Sequence, residues 1–181
     1  QHGSKSVTIG NLTEAYNKAA KGNGFLDEFA IDQPTIEMIR KYGDVCDDLH
    51  TDLHECLGHG SGQLLPGVSP DALKSYGSTI EEARADLFAL YYIADKKLIE
   101  LQLLPDAEAY KSQYYSYIMN GLLTQIVRIA PGNKIEEAHM RNRALIAHWC
   151  LDNGNAISLV RRDGKTYVQV NDYEELRQQF A

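Results

Sequence analysis

Residues 54–62 read HECLGHGSG. A histidine followed at once by glutamate, with a second histidine one helical turn later, is the pattern of a zinc-peptidase helix. Two imidazoles hold the ion while the glutamate serves as base beside the bound water. Here the second histidine arrives at His59, five residues after His54 and not four, with Gly58 in the expected place. Five residues of ideal α-helix turn through about 500°, which leaves the two rings about 140° apart and unable to share an ion. A single π-type turn absorbs the extra residue and returns both rings to one face. Gly58, a permissive residue just before His59, suits such a distortion.

A catalytic zinc site needs a third protein ligand and one open position. EEARAD, residues 81–86, opens the next helical segment and offers Glu82 and Asp86 at i and i+4, on one face. One of these carboxylates can ligate, and the other can accept the N–H of a ligating histidine and so fix its orientation. HTDLH, residues 50–54, forms a competing i, i+4 histidine pair. No glutamate follows His50, so it reads as a surface residue or one that supports a ligand from behind. Either histidine motif alone is weak; HECLGH paired with EEARAD is strong.

The elements that must position these residues are mostly helical. A capping pattern over NLTEAYNKAAK predicts a short helix from Asn11 to near Gly22. DEFAIDQP reads as a connector with Pro34 as first helical residue. A long helix is expected from Thr35 to His59, with Gly43 as a place to bend. The glycine- and proline-rich GSGQLLPGVSP is loop. A helix over Thr79–Leu103, with apolar positions Ile80, Ala83, Leu87, Leu90 and Ala94, is ended by Pro105. Two more helices follow, from Asp106 to Ala130 and from Asn133 to Gly154. AISLVRRDGKTYVQVN carries two β-prone runs around Asp163-Gly164, a hairpin signal. Tyr173–Phe180 reads as a last helix. The fold class is mainly α with one small C-terminal β-hairpin.

Composition removes several functions. The 181 residues carry a net charge of −7, without the basic excess that binds nucleic acid. No apolar run approaches the roughly 20 residues that span a bilayer. The polar start, QHGSKSVTIGN, has neither an apolar signal core nor an initiator Met, so the chain reads as an excised segment. Cys46, Cys56 and Cys150 are an odd, scattered set without a C-x-x-C pair; they read as buried thiols of a reducing, cytoplasmic setting.

HECLGHGSG together with EEARAD resembles the paired signature of the dipeptidyl peptidase III family of zinc metallopeptidases. The six-residue His-Glu-x-x-Gly-His form is that family's mark. The resemblance implies one Zn²⁺ held by His54, His59 and Glu82, with Glu55 as general base. Glu81 and Asp86 would hold the ligand histidines. EEAHMRNRALI, residues 136–146, is similar to a further family segment, which implies that His139 stabilises the transition state and Arg143 contacts substrate. His139 and Arg143 are i and i+4 and share a helix face. Alone, His139 would read as an ordinary half-buried histidine, and His148, Trp149 and Cys150 read as the opposite face, the last two as packing residues. Ala83 stands where the family often has cysteine, a position that is not a ligand. The family's enzymes are far longer and two-lobed. The resemblance therefore implies that this single domain is the zinc-bearing part of a helical lobe, whose partners are short peptides and the remaining lobe. The expected activity is release of dipeptides from peptide N-termini. The alternatives are a zinc aminopeptidase of other specificity, a silent helical zinc module, and a helical domain with an empty site.

Overall fold

The computed structural model describes residues 22–181 and, before them, Ala15 alone. The helix expected over Asn11–Gly22 thus falls outside the described residues except at Ala15 and Gly22. Among the described residues there are seven α-helices and one two-stranded sheet. They are α1 (Phe25–Phe29), α2 (Gln33–Leu53), α3 (Gly77–Ile93), α4 (Lys96–Glu100), α5 (Tyr110–Leu122), α6 (Ala138–Asp152) and α7 (Tyr173–Gln179), with strands β1 (Ile157–Arg162) and β2 (Lys165–Val170) between α6 and α7. Mainly α with a C-terminal hairpin is therefore the observed class.

Four helices build the core and the frame of the site. α2 lies beside α3 and α5, and α6 lies beside the other flanks of α3 and α5, closing a square. Inside it sit Cys46, Leu49 and Leu53 from α2, Ala89, Leu90 and Ile93 from α3, Tyr114 and Ile118 from α5, and Ile146 and Cys150 from α6. Where α5 crosses α6 the backbones nearly touch. A Cβ on Gly121 would stand 2.5 Å from the Arg143 carbonyl oxygen, so only glycine fits there.

Helix ends follow local chemistry. Asp32 caps α2 by accepting from the Thr35 N–H at 2.9 Å. Gly43 does not interrupt α2, which runs unbroken from Gln33 to Leu53 with Tyr42 and Cys46 buried on either side of it. The helix expected to run to Leu103 stops at Ile93. The Asp95 side chain takes the Lys97 N–H at 2.8 Å and starts α4 instead, an N-cap outcompeting continuation of the helix. DEFAIDQP is not wholly connector, since α1 takes in its first three residues and α2 begins at Gln33, one residue before Pro34. The two later helices are shorter than the apolar pattern suggested. After Leu122 the chain tightens into a 3₁₀ turn, Thr124–Arg128, and α6 waits for its cap at Glu137.

The hairpin turn is Asp163-Gly164, with φ of +49° and +79°, the double left-handed geometry of a two-residue turn that matches strand twist. Its register pairs Ile157 with Val170 and Arg162 with Lys165. Tyr115 of α5 ties the hairpin down by donating its hydroxyl to the Val168 carbonyl at 3.0 Å. Cys46 and Cys150 are buried, their thiols pushed up to about 12 by burial, whereas Cys56 is exposed. Trp149 is also exposed, because α6 buries its other side, where Cys150 lies.

Candidate metal centre

α2 runs without a break into a π-helical turn, His54–His59, and the chain leaves it still helical through Gly60 and Ser61. The widened turn brings the two rings together. Their centroids are 4.7 Å apart, nearly perpendicular, and their Nε2 atoms are 3.1 Å apart. Gly58 matters here for a reason other than backbone freedom. Its Cβ would lie 2.6 Å from Ala85 Cα and 2.7 Å from Ala85 Cβ. The turn is pressed flat onto α3, and Gly58 and the fully buried Ala85 are the two small residues that allow this approach.

That approach sets EEARAD against the histidines. His54 Nδ1 meets Asp86 Oδ1 at 2.6 Å, and His59 Nδ1 meets Glu81 Oε1 at 3.0 Å. A carboxylate on Nδ1 selects the tautomer whose proton is on that nitrogen. In their neutral forms both rings then present a bare Nε2 lone pair inward. Glu82 Oε2 completes the convergence, 3.3 Å from His54 Nε2 and 3.7 Å from His59 Nε2, buried and without a hydrogen-bond partner. Three acceptors thus face one point with no proton among them. Ligands of one tetrahedral zinc, at bonds of about 2.0–2.2 Å, stand about 3.3–3.6 Å apart. The triangle here, with sides of 3.1, 3.3 and 3.7 Å, is close to those dimensions.

A second group, His50, His54 and Asp86, also gathers three donor atoms. Its closest separation, the 2.6 Å between His54 and Asp86, is the length of a charge-assisted hydrogen bond and too short for two ligands of one ion. His50 is therefore a support, and a buried one: its Nε2 donates to Asp86 Oδ1 at 3.1 Å. The other carboxylate oxygen accepts from the Tyr117 hydroxyl at 2.8 Å. Tyr117 has only one proton to give, yet Asn142 Oδ1 stands 3.1 Å from the same hydroxyl, and Asn142 Nδ2 lacks a partner. Turning the Asn142 amide over resolves both, with N–H donating to Tyr117 and Tyr117 to Asp86.

Burial works against charge on Asp86, but the hydrogen bonds from His50 and His54 hold its carboxyl well below the usual carboxylate range. Burial likewise works to lower the His54 imidazole, and Asp86, Glu82 and Glu55 together hold it above its ordinary value. Both shifts describe a pocket with surplus negative charge, which a cation balances. Glu81 is held low chiefly by Arg84, whose guanidinium meets it at 2.6 Å and also donates to the Gly58 carbonyl at 2.8 Å.

Beside this triangle lies a cavity of about 320 Å³, with Glu55, His139 and Arg143 among its lining residues. His139 Nε2 is 3.2 Å from Glu82 Oε2, on the same side as the ligand-type atoms. Its ring is aimed by Glu137, which caps α6 through the His139 and Met140 N–H groups and also takes His139 Nδ1 at 2.6 Å. Those bonds outweigh burial and bring the Glu137 carboxyl down to about 2. Arg143 follows one turn later on α6.

The structure therefore brings His54, His59, Glu82, Glu81, Asp86, Glu55, His139 and Arg143 into one place. The sequence reading missed Arg84, Tyr117, Asn142 and Glu137. Arg84 was findable, three residues after Glu81 on one helix; Tyr117 and Asn142 reach Asp86 only through tertiary packing, and no spacing announces them.

A family model described as Peptidase family M49 matches residues 1–74 and 68–178. That span takes in HECLGH, EEARAD and the His139 segment, and the chain belongs to Peptidase family M49, metallopeptidases of the dipeptidyl peptidase III type.

Proposed function

We propose that this chain carries the zinc centre of a dipeptidyl peptidase, with His54, His59 and Glu82 as ligands. The observation that carries the reading is the convergence of two imidazole lone pairs and an unpartnered buried carboxylate oxygen on one point. Asp86 and Glu81 orient the two histidines. When bound, the ion supplies Lewis acidity, lowering the pKa of water and polarising a peptide carbonyl.

The remaining chemistry belongs to side chains on the cavity wall. Glu55 takes a proton from the attacking water as its oxygen adds to the scissile carbonyl carbon. His139, its Nδ1–H held by Glu137, donates from Nε2, as an imidazolium, a hydrogen bond to the oxygen on which negative charge develops. Glu55 then returns its proton to the amine as the C–N bond breaks. Arg143 holds the substrate across the same cavity, and the opposing lobe implied by the family resemblance closes over it. Release of an N-terminal dipeptide is the expected cleavage.

The test combines metal analysis with product analysis. His59→Ala and Glu82→Ala should each strip zinc, while Glu55→Gln keeps it and loses nearly all turnover of a peptide from which wild type releases dipeptides. Zinc retained in both ligand variants would overturn the ligand set. Near-normal turnover in Glu55→Gln would remove it as base, and single amino acids as first products would make the enzyme an aminopeptidase.

A further inference from the structure

α5 is apolar on most of its circumference, with Tyr114, Tyr115 and Ile118 fully buried. One stripe departs from this: Gln113, Ser116 and Asn120, at helical spacing, line the cavity beside the metal centre. A second cavity of about 560 Å³ lies further along α2 and α5, and the two share Asp47, Gln113 and Ser116. They form one groove leading away from Glu55.

Gln113 stands at the junction. It is only 6% exposed and lines both cavities. Among the described residues, Asn120 Oδ1 is buried and without a hydrogen-bond partner. Protein interiors satisfy such groups nearly always, and each one left open is costly. The open carboxamide oxygen of Asn120 and the nearly buried Gln113, on one face of one helix and both at a groove that starts at the reaction site, point to a ligand that supplies hydrogen-bond partners there.

We infer that this stripe is a hydrogen-bonding rail for the main chain of an extended peptide, an inference that rests on the peptidase reading above. A carboxamide offers both a donor and an acceptor, which matches a peptide unit. Seven residues of helix separate Gln113 from Asn120, about 10.5 Å. An extended peptide covers that length in about three residues. The rail therefore reads the length of the substrate more than its side chains, and it selects peptides over single amino acids or blocked dipeptides.

The test uses the zinc-loaded protein in a Glu55→Gln background, so that nothing is cleaved, titrated with alanine-based peptides of two, four and six residues. Affinity should rise with length. Gln113→Leu should weaken the six-residue peptide about tenfold, Asn120→Leu should do so to a similar or lesser degree, and neither should change the two-residue peptide or zinc content. Equal affinity of the six-residue peptide for the Gln113→Leu and parent proteins would overturn the rail. So would a uniform loss at all lengths, or no rise with length in the parent. Zinc titration reads the metal centre and the peptide series reads the rail, so the two readings fail separately.

Discussion

The two histidines of the centre are held in the same way but in different surroundings. His54 and its carboxylate Asp86 have side chains 9% and 5% exposed, whereas those of His59 and Glu81 are 26% and 44% exposed. Behind Asp86 stand His50, Tyr117 and Asn142, reaching into the core; behind Glu81 stands Arg84, at the surface. The inner support is part of what makes the four helices one body. The outer support is a salt bridge that water screens. An energy that is large inside and small outside follows from dielectric surroundings alone.

The sharpest way to break this comparison is Asp86→Ala. It leaves the His50 and His54 N–H groups and the Tyr117 hydroxyl buried without an acceptor. We expect a loss of about 3–5 kcal/mol in the metal-free protein, read from the denaturation midpoint, along with loss of zinc. If the metal-free protein loses less than about 1 kcal/mol, Asp86 is not tied into the core.

Gly58→Ala comes next. Its new Cβ meets Ala85, and the π turn must lift from α3. The expected destabilisation is about 1–3 kcal/mol. Zinc affinity should fall as well, because lifting the turn separates both histidines from Glu82. Gly121→Ala, which clashes at the α5–α6 crossing, should destabilise by a similar amount and affect zinc much less.

Tyr117→Phe isolates one bond of the inner support. Removing a hydroxyl from a buried carboxylate should cost about 1.5–3 kcal/mol of stability and about tenfold in zinc affinity, measured with a competing chelator. Arg84→Ala, on the outer support, should be the mildest. We expect at most about 1 kcal/mol of stability, with a decrease in zinc affinity that shrinks as the parent's own salt bridge is screened at higher salt. If Arg84→Ala outweighs Tyr117→Phe, the ranking of inner over outer is wrong.

Much of the site could be read from the sequence because its spacing is local. HECLGH demanded a π turn once both histidines were to share a face, and the turn is there. The Asp163-Gly164 hairpin followed from turn chemistry that only residues tolerant of positive φ satisfy. EEARAD put its carboxylates on one helix face. The rest was not local. His50 was left open between a surface residue and a support for a ligand, because periodicity does not say which face of a helix a neighbour covers. Gly58 was read as a source of backbone freedom, while its lack of a side chain matters through Ala85, 27 positions away. The break at Asp95 was hidden because a capping side chain competes with helix continuation by a small margin, and an apolar stripe outweighs it on paper.

The π turn has a consequence beyond geometry. Helical chain enters at Leu53 and leaves at Gly60, so one more residue has been taken up without ending the helix. A segment built this way behaves like a splice: length can be added or removed at one point while the flanking segments keep their neighbours. The two residues at its outer edge, Cys56 and Leu57, are exposed and face no part of the core. The widened turn thus holds one residue more than an α-helical span between the same two imidazoles would, and the imidazoles on either side of it still meet.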